Sequence, residues 1–161
     1  FSIDFSFSGS MLYSAAWNCD GTQIVTGSED RIVSVGTIDL TGKFRQTLVG
    51  ATHWDSGNKV AWHSSHPSIL ASASADRSLC IWDTRQKASK PGRLPTKAQC
   101  TTVAWSPCGQ YLVLGDERLS LVDERTFTVG KSLDLSKAVL NEFVYDTSGK
   151  HLIVALGSGK I

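Results

Sequence analysis

Two histidines spaced three residues apart raise the first chemical question, that of a zinc site. His63 and His66 form an H-x-x-H pattern whose imidazole nitrogens are suitable metal ligands. A structural zinc site needs further ligands, and no Cys pair lies nearby to supply them. Pro67 follows directly, which is typical of a turn. We therefore predict two turn residues here and no metal site.

Two other stretches could belong to a catalytic site. His53 lies close to Asp55, a pairing from which a general base could be built. The stretch GSGK at 157–160 is a fragment of a phosphate-binding loop. Neither a nucleophile elbow nor a complete Gly-rich loop accompanies them. The sequence therefore predicts a protein that is not an enzyme and that takes no cofactor and no small-molecule substrate.

A basic segment at 84–97 could contact phosphates. It has no acidic residue, and its five basic residues are Arg85, Lys87, Lys90, Arg93 and Lys97. Lys and Arg that neutralise phosphates would provide an RNA contact. The alternative is a solvated loop whose Lys and Pro residues prevent the pairing of sheet edges. No aromatic residue lies between the charges, which does not favour base stacking, and we keep both interpretations.

Composition excludes several classes of protein. The 161 residues are 41% hydrophobic and 19% charged, as in a globular domain, and the net charge of +1 gives no general attraction to nucleic acid or membranes. No apolar run approaches the ~18 residues that span a membrane. The start, FSIDFSFSGSM, is expected to be the edge of a fragment rather than a signal peptide. The cysteines form no C-x-x-C pair, which favours reduced thiols and the nucleus or cytosol.

The elements that position these residues are indicated by an internal repeat. Four aromatic residues recur at spacings of 45, 43 and 40, namely Trp17, Trp62, Trp105 and Tyr145. Each follows a short β-like run and precedes a turn, a second run, a tight turn with Asp in most units and a third run. A period of 40–45 residues with several short strands is typical of β-propeller blades. The sequence predicts an all-β fold with repeat units at 1–50, 51–95, 96–135 and 136–161, the last truncated.

With this repeat, the chain resembles the WD40-repeat proteins. The Trp-Asp signature of that family is present here as Trp82-Asp83. The resemblance implies a structural hydrogen-bond network in each blade. In the second unit its four members would be His53, Ser72, Asp76 and Trp82. A buried carboxylate and a buried indole N–H both need partners, which such a network supplies. His53 is then a structural donor rather than a general base.

The other units keep only part of this network, with Gly36 at the Trp position of the first unit and Val122 at that of the third. Four units are fewer than the usual ring of this family. We therefore expect part of a larger propeller of seven blades, whose remaining blades lie outside this chain.

The loops at one end of the blades are the predicted partner-binding residues. Trp54 follows the network histidine in such a loop, and Glu29, Arg31 and Arg77 flank the equivalent tight turns. Exposed Trp and Arg are typical of binding hot spots. The alternative for Trp54 is packing against a neighbouring loop. Arg85 completes a Trp-Asp-x-Arg form of the signature and is a further candidate contact.

Two functions follow from the resemblance. The phrases VAWHSSHPSILASASADRSLCIWDTR and VAWSPCGQYLVLGDERLSLVDERT are similar to WD40 subunits of the THO type, in nuclear complexes for mRNA processing and transport. That similarity implies a protein-interaction scaffold with other protein subunits as partners, RNA contact at most indirect, and a nuclear location, with the cytoplasm as the alternative. The second function is a substrate receptor of a cullin-RING ubiquitin ligase, in which Arg85 would contact the adaptor.

Overall fold

A computed structural model of the chain describes residues 10–51, 53–55, 59–86, 91–100, 102–115, 118–135, 140–146 and 148–157. These residues form strands, turns and loops, and no helix occurs among them. No helix in this part of the chain is therefore long and apolar enough to cross a membrane. The predicted all-β fold is confirmed.

The strands form four antiparallel sheets, each built from strands that are consecutive in the chain. The first sheet has β1 Leu12–Trp17, β2 Ile24–Ser28, β3 Ile32–Ile38 and β4 Phe44–Ala51. The second has β5 Lys59–Trp62, β6 Ile69–Ser74, β7 Ser78–Asp83 and β8 Gly92–Pro95. The third has β9 Thr102–Trp105, β10 Tyr111–Gly115, β11 Arg118–Asp123 and β12 Thr128–Asp134. The fourth has β13 Leu140–Tyr145 and β14 Leu152–Leu156.

Each of the first three sheets has a fourth, outer strand, which corrects the sequence prediction of three strands per unit. Strand β8 lies inside the segment 84–97, which the sequence interpretation treated as a loop. For β12 the reason is its exposure: every residue of this strand is exposed, so it carries no hydrophobic alternation to detect. Strand β8 is short and has no buried residue. The last residue of β8 is Pro95, which is tolerated there because the strand lies at the sheet edge.

The core lies between successive sheets. Three apolar clusters join the first sheet to the second, the second to the third, and the third to the fourth. Valines of β2 and β3 pack on Trp62 and Trp82, for example, in the cluster between the first two sheets. This stack of small antiparallel sheets, each facing the next, is the arrangement of part of a β-propeller.

The recurring aromatic residues join one sheet to the next. The indole Nε1 of Trp62 donates to the carbonyl of Ala16 at 3.0 Å, and that of Trp105 donates to the carbonyl of Ala61 at 3.3 Å. Each acceptor immediately precedes the aromatic residue of the preceding sheet. The spacing of the aromatic residues in the sequence therefore corresponds to a hydrogen bond that recurs between successive sheets.

The turns that follow these aromatics are also interlocked. The Nδ2 of Asn18 donates to the carbonyl of Pro67 at 3.2 Å, and Oγ of Ser64 donates to the carbonyl of Ser106 at 2.9 Å. His63 Nε2 bonds the carbonyl of Gly109 at 3.2 Å. At one end of the sheets, the turns thus form a chain of contacts from the first sheet to the third.

Candidate functional site

The four network residues of the second unit are in contact in the structure. His53 Nδ1 lies 3.0 Å from Oδ2 of Asp76, and His53 Nε2 lies 2.8 Å from Oγ of Ser72. The indole Nε1 of Trp82 donates to the same Ser72 oxygen at 2.9 Å. The side chains of His53 and Asp76 are 0% and 2% exposed. The four residues therefore form one buried hydrogen-bonded chain.

The chemistry of these groups sets the direction of the chain. A carboxylate can only accept, so His53 donates from Nδ1 to Asp76. In a neutral imidazole Nε2 then accepts from the Ser72 hydroxyl, and that oxygen is left to accept from Trp82. Burial lowers the pKa of His53, although the hydrogen bond and charge of Asp76 oppose it. His53 is thus a neutral connector with both nitrogens engaged.

Asp76 stays ionised although it is buried. Burial works to raise its pKa, but hydrogen bonds from Ser78, from the Trp54 backbone and from His53 outweigh that effect, and the pKa is lowered. The Ser78 hydroxyl donates to Oδ1 at 2.6 Å, and the Trp54 N–H donates to Oδ2 at 2.9 Å. The same Oδ2 accepts from Nη2 of Arg93 at 2.7 Å. The carboxylate therefore anchors a loop and an outer strand as well as the histidine.

Arg93 links this network to the surface. Its guanidinium carbon lies 4.2 Å from the centroid of the Trp54 ring, while its Nη2 contacts Asp76. Arg93 lies on β8, opposite Cys80 of β7, which is opposite Ser72 of β6. By its charge Arg93 is a candidate phosphate contact. In the structure, its guanidinium is engaged by a carboxylate and an aromatic ring.

Trp54 is exposed although its position is fixed. Its side chain and backbone together are 77% exposed, so the ring is not packed beneath a neighbouring loop. Its N–H is bonded to Asp76, and its carbonyl accepts from Nη1 of Arg31 at 3.3 Å. We call Trp54 with Arg31, Arg77 and Arg93 the Trp54 surface.

Arg31 and Arg77 occupy equivalent turns of neighbouring sheets. Arg31 lies between β2 and β3, and Arg77 lies between β6 and β7. Both have left-handed backbone conformations, with φ of 70° and 62°. Both are exposed, as is Glu29 beside Arg31. The candidate partner-binding residues of the two turns thus lie on either side of the Trp54 backbone.

Of the other basic residues in the segment, Lys97 is exposed just after β8. Lys87 and Lys90 lie outside the described residues. A phosphate-binding role for these lysines stays a prediction.

Arg85 lies at the other end of β7 from the Trp54 surface. Its Nε is 2.9 Å from Oδ1 of Asp83 and its Nη2 is 2.7 Å from Oδ2, a bidentate pair. These bonds from Arg85 lower the pKa of Asp83 to about 2. The Arg85 side chain is nevertheless 71% exposed. It is therefore held in one orientation at the surface.

A cavity of about 310 Å³ opens beside this pair, between the second and third sheets. Its lining is mostly apolar and includes Ile81, Trp105, Leu112 and Phe127, with Asp83 at its rim. A cavity of this size could hold an apolar side chain of a partner.

The two histidines of the H-x-x-H pattern are turn residues in the structure. His63 Nδ1 accepts from the backbone N–H groups of Ser65 and His66, each at 3.1 Å, and Nε2 donates to Gly109. Burial lowers the pKa of His63. The described residues contain no group of His, Cys, Asp and Glu side chains that could hold a metal ion.

A known protein-family model matches two parts of the chain. The model described as "WD domain, G-beta repeat" matches residues 2–35 and 42–83. The second matched range ends at the Trp82-Asp83 pair and contains the four residues of the buried network.

Several curated proteins are similar to most of the chain. WD repeat-containing protein AAC3 of Dictyostelium discoideum is 30% identical over 92% of this chain and 35% of its own length. THO complex subunit 3 of Arabidopsis thaliana is 28% identical over 93% of this chain and 48% of its own length. Protein transport protein sec13 of Aspergillus clavatus is 32% identical over 72% of this chain and 42% of its own length. The chain thus spans less than half the length of these relatives.

Proposed function

Because this chain is a WD40-repeat protein, we propose that it acts as a non-catalytic scaffold subunit of a THO-like complex for mRNA processing and transport in the nucleus. A protein-interaction role in general agrees with its WD40 repeats and with the similarity to a relative named as a complex subunit. The THO-like assignment is supported by the similarity to THO complex subunit 3, which extends over 93% of this chain.

One observation carries the scaffold role: Trp54 is fixed by its backbone bonds and by Arg93 yet is 77% exposed. An aromatic ring is usually buried when its orientation is fixed by the fold, because burial stabilises it. Here the surrounding groups hold the ring and leave its outer face to solvent. A rigid fold that holds a large side chain at its surface is suited to binding another protein.

The test is affinity purification of the full-length protein from nuclear extract, with and without nuclease, followed by mass spectrometry. Recovery of THO-like subunits after nuclease treatment supports the proposal, because the contact is then between proteins. Loss of these subunits on nuclease treatment assigns the contact to RNA. Failure to recover them under either condition refutes the THO-like assignment.

A second function, substrate receptor of a cullin-RING ubiquitin ligase, is supported by Arg85. Its guanidinium is held by Asp83, is 71% exposed and lies beside the cavity between the second and third sheets. Replacement Arg85→Ala should abolish recovery of a ligase adaptor in the same purification and leave THO-like partners unchanged. Trp54→Ala should have the opposite effect, so the two variants distinguish the two functions.

A further inference from the structure

The Trp54 ring is a preorganised contact for a ligand. Its backbone is bonded on both sides, by the carboxylate of Asp76 and the guanidinium of Arg31. Arg93 lies over the ring at 4.2 Å and is itself held by Asp76. A partner that packs on the exposed ring therefore loses little conformational freedom at this position, which favours affinity.

Two arginines near this ring, Arg31 and Arg77, have no carboxylate partner within the described part of the chain. Four arginines of the described residues form ion pairs with aspartates, and these are Arg45, Arg85, Arg93 and Arg118. Among the same residues, neither Arg31 nor Arg77 pairs with a carboxylate. Within the described residues, the guanidinium of Arg31 donates through Nη1 to the Trp54 carbonyl, which leaves its other N–H groups available.

The backbone at these two positions is left-handed. Glycine and asparagine are the residues that readily adopt positive φ, whereas Arg31 and Arg77 have φ of 70° and 62°. Each closes a three-residue hairpin turn, in which the N–H of Arg31 bonds the carbonyl of Ser28 and that of Arg77 bonds the carbonyl of Ser74. A left-handed residue at the end of such a turn is usual, so the two arginines occupy equivalent, fixed backbone positions in neighbouring sheets.

We infer that the Trp54 surface binds a protein segment in which an apolar residue lies beside a carboxylate. The apolar side chain packs on the open face of the Trp54 ring, and the carboxylate accepts from Arg31 or Arg77. Guanidinium and carboxylate form a two-bond, charge-assisted pair, which fixes the orientation of the segment. This inference rests on the proposed scaffold function and adds the chemistry of the partner.

The charges around the surface favour a protein over RNA. Glu29 is exposed next to the Arg31 turn, and Asp55 is exposed next to Trp54. RNA brings a phosphate with every nucleotide, so its backbone would meet these carboxylates as well as the arginines. A peptide can place its acidic residues opposite the arginines alone.

Arg93 is a positioning residue in this arrangement rather than a ligand. Its Nη2 is 2.7 Å from Asp76 and its guanidinium carbon lies 4.2 Å from the ring centroid, so the anchored guanidinium covers one face of the Trp54 ring. The ligand would contact the opposite face of the ring.

The test uses the full-length protein and the indole N–H signals of its tryptophans in two-dimensional NMR. The Trp54 signal is identified by its absence from the variant Trp54→Phe. Three heptapeptides are titrated: Gly-Ser-Glu-Phe-Glu-Gly-Ser, its analogue with Lys in place of Glu, and its analogue with Gly in place of Phe. Oligouridylate is the RNA probe.

We expect the Glu-Phe-Glu peptide to shift the Trp54 signal, and each analogue to bind at least about fivefold more weakly. The double variant Arg31→Ala, Arg77→Ala should bind the Glu-Phe-Glu peptide more weakly by a similar factor. Arg85→Ala is the matched control and should leave binding unchanged, because Arg85 lies at the other end of β7.

Equal binding of the Lys analogue, no effect of the double variant, or no shift with any peptide would overturn the inference. If oligouridylate binds more tightly than the peptide and depends on the same two arginines, the Trp54 surface is an RNA site and not a peptide site. The peptide titration and the affinity purification can fail independently. If the double variant still assembles with its partners and the peptides do not bind, the scaffold function stands and only the partner chemistry is wrong.

Discussion

The guanidinium carbon of Arg93 lies 4.2 Å from the centroid of the Trp54 ring. These residues are far apart in the chain, on the outer strand β8 and in the loop before β5. They meet because both contact Oδ2 of Asp76, Arg93 through its Nη2 and Trp54 through its backbone N–H. The carboxylate thus connects a buried structural network to an exposed ring.

Replacing Arg93 should change the orientation of Trp54. Arg93→Lys keeps a cation near Asp76 but lacks the planar group that covers the ring, so the near-ultraviolet circular dichroism of Trp54 should decrease. The Trp54 contribution is the difference between each protein and its Trp54→Phe counterpart. Arg93→Ala also leaves Asp76 without its cation and should destabilise the protein by about 1–2 kcal/mol in urea unfolding. An unchanged difference spectrum in Arg93→Lys would show that the stacking does not orient the ring.

Ser72 connects the two halves of the buried network. Ser72→Ala removes the partner of both His53 Nε2 and Trp82 Nε1, which lie 2.8 and 2.9 Å from its oxygen. Two buried polar groups would lose their hydrogen bonds, and we expect a loss of about 2–4 kcal/mol in the free energy of unfolding. Ser132→Ala, on the exposed strand β12, is the control and should change it by less than about 0.5 kcal/mol. Equal effects of the two substitutions would contradict a structural role for the network.

Gly50 has no space for a side chain. A Cβ there would lie 2.2 Å from Cζ3 of the Trp82 ring, which cannot turn away without losing its bond to Ser72. Gly50→Ala should therefore overpack the boundary between the first two sheets and cost about 1–3 kcal/mol in urea unfolding. At Gly130 a Cβ would be 3.6 Å from the nearest atom, the carbonyl oxygen of Leu121, so Gly130→Ala should be close to neutral. If both variants unfold at the same urea concentration as the parent, the packing of Trp82 on Gly50 is not as described.

Stability should fall below pH 6.5. Burial lowers the pKa of both His53 and His63 from the ordinary value of 6.5. The unfolded chain therefore binds protons at a higher pH than the folded protein does, and stability present above 6.5 is lost as the pH falls toward the folded pKa values. The measurement is the free energy of unfolding in urea at intervals from about pH 8 to about pH 5.

A pair of variants separates the contribution of His63 to this pH dependence. His63→Gln should reduce the slope below pH 6.5, because His63 accepts two backbone N–H bonds at Nδ1 only when neutral. His66→Gln, an exposed neighbour in the same turn, is the control. A slope that is the same in both variants and in the parent would mean that His63 does not titrate on unfolding.

Much of the architecture was accessible from the sequence by itself. Alternating apolar residues, turn residues and four aromatics at regular spacing predicted an all-β repeat protein of the WD40 kind, and this is confirmed. The signal is local: strands covered on one face have alternating apolar residues, and the second and third repeats each place an indole where it bonds the preceding sheet. The candidate site residues were also named from the sequence, and their roles in binding stay predictions.

Only the tertiary structure decided which of these residues act together. Strand β12 is exposed along its whole length and β8 has no buried residue, so neither shows a clear hydrophobic alternation, and the segment that contains Arg93 was interpreted as a loop. The contacts of Asp76 come from residues up to 23 positions away, and a single sequence does not specify such contacts. The charge of Arg93 and its basic neighbours predicted a phosphate contact. Its position on β8 brings its guanidinium to Asp76 and to the Trp54 ring. Local patterns determine strands and turns, but the partner of an exposed cation depends on which strands the fold places side by side.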